Sequence, residues 1–176
     1  MNSNKLNEHI AKIPAGFLDP ELFNQIARLG VLTYIELIAF RQMNNAIEVL
    51  LTKREPSDKF WPNMYHNPGT VLRPSDQDFT FADAIQRLES DEYKTKLSEP
   101  NFAGFWFEQL ERGKGFGVVS WVELNDCPAG EYFDINNLPS NLIKGQATYI
   151  QKAAQQYINY KCSKFNPTPL SQLILQ

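Results

Sequence analysis

Two apolar runs, VLTYIELIAF and AIEVLLTKR, flank RQMNN between residues 31 and 54. Both are rich in β-branched and aromatic side chains. Asn44 and Asn45 tolerate the positive φ that a tight turn requires, so the pattern predicts a β-hairpin. Upstream, DPELFNQIARLG is punctuated as a helix, with Asp19 as N-cap, Pro20 at the first helical position, apolar Leu22, Phe23, Ile26 and Leu29, and Gly30 as the stop. From Phe81 the apolar positions Phe81, Ala84, Ile85 and Leu88 follow the i, i+3, i+4, i+7 spacing of a helix over 80–95 with one face packed inward. NFAGFWFEQL and GFGVVSWVEL read as two strands joined across ERGKG. The first is apolar on both faces and is expected in the middle of the sheet. EYFDI is a last short strand, and NLIKGQATYIQKAAQQYINY a C-terminal helix over 142–160. The stretch 55–69, with three prolines and a glycine, is expected to be a loop.

This order of elements implies an α/β fold, a mixed sheet with the 80–95 helix on one face and the 142–160 helix on the other. The 176 residues suit one domain, with 1–30 as a helical extension and 161–176 as a tail. A formal charge of −3 supplies no basic footprint for a nucleic-acid backbone, so nucleic acid is not an expected partner. MNSNKLNEHIAKIPAG lacks an apolar core, and GVLTYIELIAF is too short for a bilayer and contains Glu36. No membrane partner and a cytoplasmic location are therefore expected. Cys127 and Cys162 show neither metal-ligand spacing nor a disulfide framework and are read as free thiols.

Candidate chemistry gathers in NPGTVLRPSDQDFTFADAIQRLESDE, residues 67–92. A Pro-Gly turn, an acidic loop and a helix carrying Asp83, Arg87, Glu89, Asp91 and Glu92 suggest divalent-metal chemistry, although Leu88 stands among the charges. Three stretches in order, EVLLTKREPSDKFWPNMYHNPGTVLRPSD, ADAIQRLESDE and GEYFDINNLP followed by a helix, resemble the Nudix hydrolase superfamily. The resemblance covers about residues 31–160. That family's motif is G, five residues, E, seven residues, then R-E-U-x-E-E-x-G-U, with U apolar. One alignment puts Thr70 at the glycine, Asp76 at the first glutamate, Arg87 at the arginine, Leu88 at the next glutamate, and Asp91 and Glu92 at the paired acids. Ten residues rather than seven then separate Asp76 from Arg87, an insertion assigned to QDFTF. A second alignment, slipped by one, places Leu88 at the apolar U position, Gln86 at the arginine, and Ser90 and Asp91 at the acidic pair. Neither has a glycine closing the helix.

The resemblance implies a Nudix-type α/β/α sandwich with a mixed central sheet. It implies a weak hydrolase of a diphosphate bond in a nucleoside diphosphate linked to another moiety, dependent on Mg²⁺ or Mn²⁺. The alternative is a catalytically inactive Nudix-fold binding or regulatory protein. Arg87 and Asp76 would be catalytic, Asp91 and Glu92 would hold metal, and Arg54, His66 and Trp61 would bind substrate. The expected partners are a small nucleotide or diphosphate ligand and a second copy of the chain in a homodimer. Such cations take oxygen ligands, usually a few carboxylates plus substrate phosphates, and activate water. A leucine in place of a glutamate removes one ligand, a vacancy that Glu108, Glu111 or Glu123 could fill. Each residue also has a plainer reading: Asp91 and Glu92 as a solvated helix face, Arg87 as a surface pair with Asp83 or Asp91, and His66 as a structural hydrogen-bonder. FWPNMYHNPG faintly resembles the isopentenyl-diphosphate isomerase branch. Asn67, however, separates His66 from Pro68, and neither cysteine lies where that branch keeps its own.

Overall fold

The computed structural model describes residues 3–14, 16, 18–77, 81–111, 113–125, 129–162 and 166–173. Two helices, α1 (Ser3–Ile10) and α2 (Pro20–Leu29), precede the long strand β1 (Val31–Met43) and β2 (Ala46–Lys53). Two short strands follow, β3 (Tyr65–His66) and β4 (Gly69–Val71). Helix α3 (Ala82–Arg87) runs directly into a π-helical segment, Leu88–Tyr93. Strands β5 (Asn101–Leu110), β6 (Gly113–Glu123) and β7 (Glu131–Asp134), helix α4 (Gln146–Lys161) and a 3₁₀ turn, Leu170–Leu173, complete the order.

Local signals account for much of this. Asp19 accepts from the Glu21 and Leu22 amides and caps α2, Pro20 opens it, and the Gly30 amide closes on the Ile26 carbonyl. Asn44 and Asn45, at φ 48° and 68°, make the two-residue turn. The hairpin is tighter than the apolar runs suggest, because pairing continues to Met43↔Ala46 and draws Arg41, Gln42 and Met43 into β1. The stretch 55–69 is likewise less irregular than its prolines imply, since β3 pairs with β2 through Thr52↔His66. Gly145, at φ 91°, delays the start of α4 to Gln146.

The sheet runs β3-β2-β1-β6-β5, with β4 also on β1 and β7 also on β2. β1 and β6 are parallel and the other pairs antiparallel. The side chains of β1 alternate between two cores. Ile35, Leu37 and Ala39 meet Ala84, Leu88 and Tyr93, whereas Ile38 and Phe40 meet Tyr149, Ile150 and Tyr157 of α4. The two helices thus cover opposite faces, as the order of elements implies. β5 is an exception to the sequence reading, for it lies at the edge rather than the middle. Trp106 packs edge-on against Tyr149 of α4, while on the other face Phe102, Phe105, Phe116 and Phe107 stack on one another, leaving Phe107 74% exposed. Aromatic pairing, not burial on both sides, explains its apolar composition. Cys162 is a free, exposed thiol, and Cys127 lies outside the described residues. Among the described residues, no helix is long and apolar enough to cross a membrane.

Candidate functional site

One edge of β1 is shared. β4 takes its first half at Tyr34↔Val71 to Glu36↔Gly69, and β2 takes its second from Phe40↔Val49. Where the two part, Pro68 accepts from the Leu37 amide, and a cavity of about 580 Å³ opens toward the start of α4. Its walls include Phe23 and Ile26 of α2, Tyr34 and Glu36 of β1, Gly69 to Val71 of β4, Glu108 of β5 and Gln146 of α4. Arg54, Trp61 and His66, drawn from the short segment that runs from the end of β2 through β3, all line it.

Each of these three is fixed by neighbours. The Trp61 indole N–H donates to Glu111 at 3.1 Å, and the Arg54 guanidinium lies 6.0 Å from the Trp61 ring centre and 3.7 Å from the Asp58 carboxylate. His66 Nδ1 donates to the Asn67 carbonyl at 2.9 Å, and Nε2 lies 2.9 Å from the Thr52 hydroxyl. The imidazole is thus fixed between Asn67 and β2 as one wall of the cavity.

Arg87 and Asp76 meet beside β4. The guanidinium donates to both carboxylate oxygens, with Nη2–Oδ2 at 2.9 Å, and Nη2 also reaches the Val71 carbonyl at 3.1 Å. This fork-to-fork pair, not Asp83 or Asp91, is the partner of Arg87, and neither member lines the cavity. The Arg87 hydrogen bonds hold the Asp76 carboxyl below its ordinary value, with the Arg73 amide assisting. The pair therefore stabilises the fold above the usual carboxylate range and loses that contribution as pH falls through the depressed value. Asp76→Ala should cost about 1–3 kcal/mol in urea melts at neutral pH, because it strands a largely enclosed guanidinium. A cost that persists undiminished in acid would contradict this account.

Beyond Arg87 the helix widens. Leu88 and Tyr93 are both fully buried although five positions apart, an interval that suits i→i+5 winding better than an α-helix, and the Tyr93 hydroxyl donates to the Leu37 carbonyl. Arg87 thus meets Asp76 as the first alignment arranges them, while Leu88 turns inward as the second requires. Among the acids, Asp91 is exposed and accepts from the Ser90 hydroxyl. Burial raises the half-buried Glu92 carboxyl, with Arg54 opposing. Burial also acts to raise Glu89, but the Leu97 amide and Lys96 outweigh it and leave that carboxyl below its ordinary value. Among the described residues, no group of three His, Cys, Asp or Glu side chains is placed to hold a metal ion. Among the described residues the donor set therefore does not fit the Mg²⁺ or Mn²⁺ cluster that the resemblance implies.

The residue that sequence reasoning missed is Glu36. It is an acid inside the apolar strand TYIELIAF, on the same face as Tyr34, and its Oε2 accepts from Asn67 at 2.8 Å and from Tyr149 at 3.0 Å. Burial pushes its carboxyl up to about 8, against those two hydrogen bonds and with the Glu108 charge adding to the rise. Gly69 makes room for it, since a Cβ there would come within 2.7 Å of Oε1. Gly117 does the same for the Tyr34 ring, which a Cβ would meet at 2.3 Å. The available signals were a lone carboxylate in an apolar strand and the alternating glycines of GKGFG.

The fold so assembled is the Nudix fold. It matches the Nudix domain of Shewanella oneidensis NrtR in complex with ADP ribose at a TM-score of 0.60 and 14% identity, over 86% of this chain and 97% of that one. A MutT/Nudix family protein of Listeria innocua matches at 0.57 and 14%, over 75% and 97% of the two chains. The Ap4A hydrolase of C. elegans matches at 0.52 and 13%, over 72% and 98%. At such identities the likeness is one of fold. No family model and no curated protein matches the sequence.

Proposed function

We propose that this chain is a Nudix-fold binding domain whose cavity takes a nucleoside diphosphate linked to another moiety. The observation that carries the reading is that Arg54, Trp61 and His66 converge on one cavity while the acids of the 81–93 helix form no metal cluster among the described residues. A cation beside an aromatic wall suits a phosphate next to a planar ring. Arg73 lines the same cavity and adds a second positive charge. The ADP ribose complex of NrtR supports the ligand class, since that domain shares the fold. The first reading expected from sequence, a weak metal-dependent hydrolase, finds less support, because Asp76 is tied to Arg87 and Leu88 is buried in the core.

Calorimetric titration with ADP-ribose in EDTA tests the reading. Binding should be unchanged by Mn²⁺, and Arg54→Ala should weaken it about tenfold, the loss of one charge-assisted contact. Incubation of ADP-ribose with Mg²⁺ or Mn²⁺ should release AMP no faster than the protein-free control. Rapid release abolished by chelator would establish the hydrolase instead.

A further inference from the structure

Glu36 and Asn67 both line the cavity. Asn67 is 1% exposed, and its Nδ2 donates to Glu36 Oε2 at 2.8 Å and to the Pro68 carbonyl at 2.9 Å. The Pro68 carbonyl, which can only accept, fixes the amide, because turning it over would set oxygen against oxygen. Its Oδ1 is therefore held in place as a buried acceptor with no donor among the described residues. A buried oxygen left so costs free energy until something donates to it.

Glu36 is arranged as the complement. Its Oε2 already accepts two hydrogens, from Asn67 and Tyr149, so a proton on this carboxyl belongs on Oε1, beside the Gly69 backbone. The ionisable groups that face it are Tyr149 on α4, Glu108 on β5, Tyr34 on its own strand, His66 on β3 and Arg54 after β2. Burial and the Glu108 carboxylate favour the protonated acid, Arg54 opposes, and the balance leaves Glu36 protonated at neutral pH.

We propose that Glu36 and Asn67 form a specificity subsite, Glu36 Oε1 donating and Asn67 Oδ1 accepting. It selects a planar ligand edge that carries an acceptor beside a donor, as the ring nitrogen and exocyclic amine of an aminopurine do. The subsite rests on the ligand-binding reading above. An edge with the two roles exchanged would set acceptor against acceptor and donor against donor, which a closed site rejects strongly.

The test is calorimetry of the full chain at pH 7 with ADP-ribose and with its hypoxanthine counterpart, in which a ring N–H and a carbonyl exchange the two roles. ADP-ribose should bind at least about tenfold tighter. Glu36→Gln places an amide N–H₂ where Oε1–H stood and should keep the affinity within about threefold, whereas Glu36→Ala should lose about tenfold or more. Wild-type affinity should decline above pH 8 and that of Glu36→Gln should not. Thermal melts of both variants establish that each is folded. Equal affinity for the two bases, or equal loss in the Gln and Ala variants, overturns the subsite while leaving the binding reading intact. If neither base binds, that reading fails and the subsite falls with it.

Discussion

Leu88→Glu should cost the fold about 4 kcal/mol or more, lower Tm by about 10 °C, and gain nothing from Mn²⁺. Leu88 is fully enclosed among Ile35, Leu37, Ala84, Val118 and Tyr93. Burying a leucine there contributes about 1.5–3 kcal/mol, and a glutamate forfeits that and brings a carboxyl into an apolar cluster. Were Leu88 instead turned toward a metal site, the same substitution would add a ligand, and Mn²⁺ would raise Tm. Thermal melts with and without Mn²⁺ separate the two outcomes. A metal-dependent gain would show that the inward face of this helix has been misassigned.

Glu36→Gln should stabilise the protein by about 3 kcal/mol at neutral pH. The unfolded chain ionises this carboxyl near 4.5, whereas the folded chain holds its proton to about 8. Between those values unfolding releases a proton, so wild-type stability falls as pH rises through this window and levels off on either side. A glutamine reproduces the protonated acid's donor and acceptor and removes the slope. Urea melts of both proteins at intervals from pH 5 to pH 8 should therefore diverge steadily. Parallel curves would mean that Glu36 is ionised in the fold.

The elements that could be read from the sequence are those set by neighbours in the chain. Asp19, Pro20 and Gly30 bound α2 by bonds that span a few residues, and Asn44–Asn45 fix the hairpin. The place of β5 could not be read this way. An interior strand and an edge strand roofed by its own aromatic stack carry the same apolar pattern, and only pairing at a distance distinguishes them. The site divides along the same line. The gathering of Arg54, Trp61 and His66 was partly legible, because all three belong to the loop region that leads into the resemblance. Glu36 was not, since its meaning depends on Asn67, 31 positions away, and Tyr149, 113 positions away. The two competing alignments were undecidable for a related reason. Each assumed α-helical winding throughout 81–92, whereas the helix widens at Leu88, so the positions of the acids after it could not be read from α-helical spacing.

That wider turn, Leu88–Tyr93, amounts to one residue of slack stored inside a helix. In genetic language it behaves as an absorbed insertion. The sheet and the Arg87–Asp76 tie lie outside it, and Leu88 and Tyr93 anchor its two ends in one core, so the loss of a single codon near the exposed Ser90 would tighten the winding between two held ends. What would change is the compass bearing of Asp91 and Glu92 between those two ends, because tighter winding re-aims the side chains it carries. The fold thereby contains a route by which acidic side chains swing toward or away from a common point through codon gain or loss rather than substitution.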